Sequence, residues 1–362
     1  MSVTGAAEHD RADESSTRLR VRFAASLPAV DIEAAARFYA GLENVTLEQY
    51  PGFARVSGDT RAECFFLARR EGVLVASARI VERRSRGFRV AGIEFGPLFA
   101  DADAAVGALH ALHDHYRQRR FALLTVGLGL REGPLTEGIR HRLGTSLTVR
   151  PAARTPRWSS VRLSLSPTPD ELMRLMSKGH RSGIRKARRE GLRVRRARGQ
   201  DDIDGFTAVF CKMNAARGHV LDTSATATNL AETIAWLDRT GMGEMLVVED
   251  AGGALIGGVV SVDQGSTTRY YKGAADPDVR HVGVLHPALF EAMQRARERG
   301  QAAYDLWGYN RHVDRKDPRY LINRFKKGFG GEVIDYPQPL DLPLGRRGAL
   351  YLRLRNLTGR SR

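Results

Sequence analysis

The chain contains the same order of short apolar segments twice, and this repetition constrains its fold more than any other feature. Alternating apolar positions and turn-like connections predict three consecutive strands, then a helix, then a further strand in each copy. The first copy is expected at residues 64–68, 73–81, 88–95, 101–119 and 121–126. The second copy is expected at residues 244–249, 254–262, 267–273, 286–299 and 302–307.

Three pairs of glycines support this duplication, because the two members of every pair are separated by 181 residues and occupy matching turns or strand ends. The pairs are Gly72 and Gly253, Gly92 and Gly273, and Gly127 and Gly308. Three matches in order favour a repeated fold over chance, even in a chain with 37 glycines. The sequence therefore predicts two related domains.

An antiparallel meander followed by a helix and an inserted strand is the core order of the GNAT acyltransferase fold, and other α+β sheets share it. We predict an α+β protein of two tandem GNAT-like acyltransferase domains, each a mixed, mostly antiparallel sheet flanked by helices. Each copy is expected to begin with a helix, the first capped by Asp31 and the second spanning residues 203–213. The expected divisions are a disordered tail (1–17), a first domain (18–155), a second domain (156–345) and a basic C-terminal segment packing on or near the first domain (346–362).

Composition narrows the class of protein. A length of 362 residues supports two hydrophobic cores, and the isolated Cys64 and Cys211 predict neither a disulfide framework nor a zinc site. The first seventeen residues lack the apolar stretch of a secretory signal, and no apolar run is long enough to span a bilayer. We therefore expect a cytoplasmic protein. The formal charge of +16 predicts polyanionic partners, unless it reflects coding bias alone.

The basic residues are concentrated after the expected domain boundary. Thr168, Pro169 and Glu171 form a capping pattern that predicts a helix running to Glu190, with Gly191 as its left-handed stop. Residues 178–198 carry ten Lys or Arg and one acid. The candidate tRNA-binding residues on the helix are Lys178, Arg181, Arg185, Lys186, Arg188 and Arg189. Like charges at this spacing repel, so phosphate contact is the favoured interpretation, and a solubilising face is the alternative.

A second candidate site lies between the third strand and the helix of the second copy. Arg280 and Gly283 retain part of the basic-x-x-Gly-x-Gly loop with which a CoA-dependent enzyme binds a pyrophosphate. Leu285 occupies the position of the second glycine, and its side chain would obstruct a close backbone approach. The sequence therefore predicts weakened acetyl-CoA binding and leaves a plain helix start as the alternative.

Several segments between residues 165 and 345 resemble the FemAB family. The last strand of the second copy ends in Tyr304 to Gly308, similar to the family's Tyr-Asp-(Leu/Phe)-x-Gly. Phe325 to Glu332 with Tyr336 is similar to its Phe-Lys-x-x-(Phe/Thr)-Gly-Gly/Ala-Glu segment and following aromatic. Further matches are His180 to Gly191, Arg217, and Tyr270 to Ala274. Residues 20–150 resemble the family mainly through the order of their elements.

The resemblance implies a tRNA-dependent aminoacyltransferase, in which an acceptor amine attacks the ester of an aminoacyl-tRNA without a metal or other cofactor. It implies that Lys326 stabilises the developing charge, that Phe325 places the end of the tRNA, and that Lys327 is either a tRNA contact or a rival for the role of Lys326. The acceptor-binding candidates are Arg217, Tyr270, Lys272 and Arg55. The implied partners are aminoacyl-tRNA and an amine, such as a nucleotide- or lipid-linked murein precursor, with peripheral contact at the inner membrane surface as a further expectation.

Departures from the family pattern leave the acceptor open. Phe53 and Ser57 stand where the family has tryptophan and lysine after Gln49, and Lys272 replaces a tyrosine. A natural-product amine or peptide is therefore an alternative to the murein precursor. Two other functions remain at this stage: an acetyl-CoA-dependent N-acyltransferase and a non-catalytic RNA-binding protein.

Overall fold

The computed structural model describes residues 19–42, 45–53, 62–153, 155, 157–317 and 319–357. The expected tail at residues 1–17, Ser57 and the acceptor candidate Arg55 lie outside this part of the chain. Within it, the chain folds into two mixed sheets with flanking helices, one for each predicted domain. The predicted α+β class is confirmed.

The first sheet contains eight strands in the order β1-β2-β3-β4-β6-β15-β7, with β5 paired to β3. Its strands are β1 (Arg20–Ala24), β2 (Ala62–Arg70), β3 (Val73–Ser85), β4 (Phe88–Ile93), β5 (Leu98–Phe99), β6 (Leu123–Val126), β7 (Arg150–Pro151) and β15 (Leu340–Pro343). Only β4 and β6 pair in parallel in this described sheet. That pair forms because a helix crosses over between the two strands.

The helices described before residue 150 are α1 (Ala29–Ala40), α2 (Ala102–Gln118) and α3 (Pro134–Gly144), and they flank the first sheet. A short 3-10 helix spans Leu47–Gln49. The crossover helix α2 begins where the Asp101 carboxylate accepts a hydrogen bond from the Ala104 amide at 2.7 Å. Its predicted apolar positions, Ala105, Leu109 and Leu112, are fully buried against the sheet. The predicted elements of this copy are therefore confirmed to within a few residues.

The second sheet has the order β14-β8-β13-β12-β11-β10-β9. Its strands are β8 (Ser159–Ser164), β9 (Arg193–Arg196), β10 (Gly243–Glu249), β11 (Leu255–Gln264), β12 (Thr267–Ala275), β13 (Ala303–Asp305) and β14 (Glu332–Asp335). Its helices are α4 (Pro169–Leu175), α5 (Lys178–Arg189), α6 (Gly199–Ala215), α7 (Thr223–Thr240), α8 (Leu285–Glu298) and α9 (Arg319–Lys327), and a 3-10 segment spans Pro277–Val282. As in the first sheet, the strands before and after the crossover helix, β12 and β13, pair in parallel.

Two predicted helix features were wrong. The basic segment forms two helices, because Met176 is extended and the Ser177 hydroxyl caps a new helix by accepting from the His180 amide at 3.3 Å. This break turns Leu175 out to solvent. Asp31 does not cap α1, which begins after Pro28; its buried carboxylate instead accepts from Arg69 at 2.7 Å.

The C-terminal part of the chain returns to the first domain. Leu340–Pro343, which we assigned to the second domain, pairs antiparallel with β6 and extends the first sheet. Its alternating apolar residues Leu340 and Leu342 complete the core beneath α2 and α3, which explains this placement. The following helix, α10 (Gly345–Leu357), packs Tyr351 against Phe88 on the other face of that sheet.

The two domains share an apolar core and several polar contacts. Tyr39 and Phe53 of the first domain lie in one buried cluster with Trp236 and Val260 of the second. The Gln264 side chain accepts from the Leu47 amide at 3.1 Å, and Gly265 donates to the Tyr50 hydroxyl at 3.1 Å. Of the helices in the described ranges, none has both the length and the apolar composition needed to cross a membrane.

Candidate functional site

The candidate site lies where the parallel strands β12 and β13 part. Their pairing ends at Arg269 opposite Asp305. Beyond this point β12 continues to Ala275, whereas β13 ends and is followed by a loop. Helix α9 reaches this loop, since the Lys326 amine donates to the carbonyls of Trp307 and Gly308, the latter at 3.0 Å. The motif residues at 304–308 and 325–327 therefore meet in space.

Lys326 is an almost fully buried cation. Lys326 is only 9 % exposed to solvent, and this burial lowers the pKa of its amine to about 8. The nearby Asp305 carboxylate opposes this lowering, and the Arg269 guanidinium adds to it. At neutral pH the ammonium is therefore still charged in most molecules and is held by two backbone carbonyls.

Asp305 has its own fixed partners. Its carboxylate is fully buried, accepts from the Trp307 amide at 2.8 Å and from the Ser160 hydroxyl, and lies 3.4 Å from the Arg162 guanidinium. These contacts shape the turn after β13, in which Trp307 and Gly308 both have positive φ. Asp305 therefore positions the carbonyls that hold Lys326 rather than pairing with the amine directly.

An aromatic cluster separates this site from the first domain. Trp307 contacts Phe95 at 5.0 Å, Trp158 at 5.4 Å and Tyr336 at 5.8 Å between ring centres. Phe95, Trp158 and Tyr336 also line a cavity of about 680 Å³ on the first sheet. Trp307 thus lies between this first-domain cavity and Lys326.

The other flank of the site is a cluster of two histidines and two phenylalanines. The His180 ring accepts from the Ser177 hydroxyl at Nδ1 (2.9 Å) and donates from Nε2 to the Phe325 carbonyl (2.8 Å), which fixes its tautomer. Burial and the neighbouring His286 lower the pKa of His180 to about 4, so the ring is neutral at physiological pH. The role of His180 is therefore to hold Phe325 in place.

A cavity of about 930 Å³ opens between α5 and α9. Its walls include Lys178, His180, His286, Phe325 and Lys327. Phe325 and Lys327, the chain neighbours of Lys326, therefore both line this α5–α9 cavity.

Another cavity, of about 480 Å³, shares His286 and Phe325 with the α5–α9 cavity. Arg217 and the start of α8 form its other walls. Burial raises the pKa of Tyr270 to about 12, and the Arg217 guanidinium acts against that rise, which places the two side chains near each other. The structure therefore brings together two of the four acceptor candidates.

Lys272, another of the acceptor candidates, does not lie beside Tyr270. A bulge between Val260 and Ser261 leaves Lys272 on the face toward α7, where its amine donates to Asn229 at 3.2 Å and lies 5.8 Å from the centre of the Phe210 ring. Burial lowers the pKa of Lys272. Lys272 and Tyr270 therefore lie on opposite faces of β12.

The predicted tRNA-binding residues divide into two groups. Lys178, Arg185, Arg188, Arg189 and Lys327 are exposed. Arg181 instead donates to the carbonyls of Arg174 and Met176, and Lys186 lies 3.7 Å from Glu190. Beyond the helix, Arg195 and Arg196 form ion pairs with Asp202, Glu249 and Asp238, so part of the basic run supports the fold.

Sequence reasoning missed Arg269, Trp158 and Phe95. Arg269 stacks on Trp307, a position that the motif leaves variable. The sequence did contain one signal for this cluster: tryptophan is rare in the chain, and two of its three tryptophans, Trp158 and Trp307, contact each other here. Among the residues that the structure describes, no group of three metal-ligating side chains is found, and Cys64 and Cys211 are free.

Comparisons with known proteins agree with this architecture. Residues 174–320 match the acetyltransferase (GNAT) domain family, and no curated protein matches the sequence. FemX has a TM-score of 0.76 at 16% identity, with 89% of this chain and 98% of FemX covered. The C-terminal domain of a putative lysylphosphatidylglycerol synthetase from Agrobacterium fabrum has a TM-score of 0.55 at 12% identity, covering 90% and 95%. A tandem GNAT protein from the clavulanic acid biosynthesis pathway has a TM-score of 0.53 at 12% identity, covering 91% and 99%.

Proposed function

We propose that this chain, which has a FemX-like tandem GNAT fold, transfers an amino acid from an aminoacyl-tRNA to an amine acceptor. The observation that supports this most directly is the buried Lys326 ammonium at the parting of β12 and β13. Its chain neighbours Phe325 and Lys327 line a cavity whose wall continues into the basic helix α5. The fold alone is shared by acyltransferases with other donors, so the residues of the site carry the proposal.

The proposed chemistry is aminolysis of an ester. The acceptor nitrogen attacks the ester carbonyl carbon, a C–N bond forms, the C–O bond to the ribose breaks, and a proton from the amine ends on the ribose oxygen. Negative charge develops on the carbonyl oxygen during attack. Lys326 has three N–H groups and donates two of them to the carbonyls of Trp307 and Gly308, so the third is available to that oxygen.

Phe325 has a complementary role in this proposal. It is held by His180 through its carbonyl, and it lines the α5–α9 cavity and the cavity that Arg217 borders. An aromatic ring at this junction provides a stacking surface for the terminal base of a tRNA. The exposed cations of α5, together with Lys327, then lie on the side from which the tRNA backbone approaches.

The residues that the structure describes around the start of α8 favour tRNA over acetyl-CoA as the donor. A CoA pyrophosphate would bind at the start of this helix. Asp276 and Asp278 lie just before it, and both pair with Lys212 at 2.8 Å, so this lysine is already neutralised and is not free to bind a pyrophosphate. The His286 ring also packs closely on Gly283, where a phosphate would need backbone access.

The acceptor enters, in this proposal, at the cavity formed by Arg217 and the start of α8. Arg55 is a further candidate, whereas Lys272 lies toward Asn229 and does not line this cavity. A guanidinium there suits a phosphate or carboxylate on the acceptor. A nucleotide- or lipid-linked murein precursor carries phosphates, and a natural-product amine that bears a carboxylate would fit the same guanidinium. The location implied by an aminoacyl-tRNA donor is the cytoplasm.

The test is incubation of the purified chain with a pool of labelled aminoacyl-tRNAs and a cell extract, followed by mass identification of labelled products. We expect transfer that RNase abolishes, and at least a ~100-fold loss in Lys326→Met, since one charge-stabilising donor contributes about that much. Lys316→Met is the matched control, because Lys316 is an exposed loop lysine outside the cavities. Transfer from acetyl-CoA that survives RNase would overturn the proposal.

A further inference from the structure

We infer that the outer face of α10 docks on the surface of an anionic lipid bilayer. This helix is the last element of the described chain and lies on the first sheet, on the side opposite α2. Its docking does not depend on the proposed transfer reaction.

The inner face of α10 fixes how the helix is oriented. Tyr351 and Leu352 are buried against Val90, Ala122 and Leu123. A side chain at Gly348 would collide with the backbone of β15, so the helix lies directly on that strand. The Tyr351 hydroxyl donates to Ser85 at 3.1 Å, and Arg355 donates to Asp341 at 2.6 Å. The helix therefore cannot rotate its other face inward.

The outer face carries a leucine stripe, which consists of Leu350, Leu354 and Leu357. These side chains are 50%, 38% and 69% exposed. Their spacing of four and three residues places them on one line along the helix. These three adjacent leucines expose apolar surface to water, and insertion into a lipid interface would bury that surface.

Cations border this stripe. Arg346, Arg347 and Arg353 are exposed on the same helix, and the segment from Gly345 to Leu357 contains no acidic residue. The β3–β4 turn, which reaches α10 through Ser85, adds the exposed Arg84 and Arg86. A leucine line flanked by arginines matches the apolar boundary and negative headgroups of an anionic bilayer.

Other partners fit this face less well. A symmetric contact with a second copy would place the arginines of one helix beside those of the other, where like charges repel. An RNA would neutralise the arginines and leave the leucines uncovered. A bilayer that contains anionic lipids satisfies both kinds of side chain at once.

Docking would also orient the first-domain cavity. Tyr351 and Arg355, on the inner side of α10, line the cavity of about 680 Å³ that reaches Trp158 and Tyr336. A bilayer on the outer side of the same helix therefore lies one helix diameter from the wall of this cavity. A molecule held at the membrane surface would have a short path to it.

The test is co-sedimentation of the full chain with phosphatidylcholine vesicles that contain or lack about 30 mol% phosphatidylglycerol. We expect binding only to the anionic vesicles, weakened by salt, and reduced at least ~10-fold by the combined changes Leu350→Gln, Leu354→Gln and Leu357→Gln. The control combines Leu135→Gln and Val73→Gln, which remove apolar side chains that are 49% and 66% exposed elsewhere on the first domain. Thermal unfolding verifies that both proteins fold.

Three results would overturn the inference. The first is no binding of the unaltered chain to anionic vesicles, and the second is equal binding by the leucine variant. The third is a dimer in light scattering that the leucine changes dissociate while vesicle binding stays absent, which would assign the face to self-association. Because the assay needs no tRNA and no acceptor, its outcome is independent of the outcome for Lys326.

Discussion

The guanidinium of Arg269 lies 3.7 Å from the centre of the Trp307 ring, and its Nη1 also donates to Glu48 of the first domain at 2.9 Å. Arg269 is 6 % exposed, so the stacking and the ion pair are largely shielded from solvent. Because the Trp307 carbonyl accepts from Lys326, this stack connects the packing of the two domains to the position of the buried amine. Arg269 is thus a positioning residue for the proposed reaction.

Arg269→Gln is expected to raise the pKa of Lys326, because the Arg269 cation contributes to lowering it to about 8. If the charged ammonium is the active form, kcat of the unaltered chain declines as pH rises through about 8. The variant should move this decline to higher pH. The measurement is kcat against pH at saturating donor and acceptor, with Arg295→Gln, a change to an ion pair on α8, as control. An unmoved decline would contradict the assigned electrostatic role.

Lys326→Met is expected to alter the pH dependence of stability. The folded pKa is about 8 and the ordinary value is 10.5, so between these the unfolded chain retains a proton that the folded chain has lost. The free energy of unfolding therefore rises with pH in this window, by on the order of 3 kcal/mol in total. Lys326→Met should lack that rise.

Denaturant unfolding at pH 7.5 to about 9.5 measures this difference, because buried tyrosines with raised pKa values, such as Tyr304, affect both proteins only above that range. The comparison is between slopes, since the methionine also leaves two carbonyls without a donor. Parallel slopes would show that the amine is not buried as described.

Sequence patterns predicted the two β-β-β-α-β units well, because each element is defined by local periodicity. The family motif also selected Lys326 and Phe325, whose roles in the reaction stay a prediction. The patterns did not predict the break at Met176, where a serine cap outweighs a continuous helical pattern. Nor did they predict Arg269, whose partner Glu48 lies 221 residues away, since nothing local specifies which distant residue an arginine will meet.

Leu340–Pro343 illustrates the same limit. Its alternation of apolar residues fits any sheet with a free edge, and only the assembled fold shows that the edge at β6 is the one available. The acceptor set shows a further limit, because a bulge in β12 directs Lys272 away from Tyr270 although the two are only two residues apart.

The combined changes Arg185→Gln, Arg188→Gln and Arg189→Gln should weaken tRNA binding and reduce its salt dependence. All three side chains are exposed on α5, so the fold should be unaffected. Each lost phosphate contact lowers the slope of log K against log salt by about 0.7–0.9. Filter binding at several salt concentrations measures this, with the exposed first-domain residues Arg20→Gln and Arg117→Gln as control. An equal slope for both variants would assign the helix to solubility alone.

Gly328→Ala should destabilise the chain and impair transfer. A Cβ at Gly328 would collide with the His180 ring, which holds the Phe325 carbonyl at 2.8 Å. The methyl therefore displaces either the ring or the end of α9, at a cost of about 1–3 kcal/mol. Gly138→Ala, in an exposed helix of the first domain where a Cβ meets nothing within 4 Å, is the control. Thermal unfolding and single-turnover transfer measure the two effects, and a fully active Gly328→Ala protein would exclude this close packing.

Gly273→Ala tests whether Tyr270 and Arg217 act on the acceptor. A Cβ at Gly273 would occupy the place of the Tyr270 hydroxyl, so the ring must move from its present position near Arg217. If that hydroxyl binds the acceptor beside the guanidinium, KM for the acceptor should rise about tenfold, the value of one hydrogen bond in a charged site, while donor affinity stays the same. Tyr270→Phe, which keeps the ring and removes only the hydroxyl, should produce a similar KM.

Gly92→Ala places a methyl at the matching strand position of the first domain, where it meets nothing within 4 Å, and controls for the effect of a strand alanine on stability. If Tyr270→Phe leaves KM unchanged while Gly273→Ala lowers the melting temperature, Tyr270 packs the strand and the acceptor lies elsewhere.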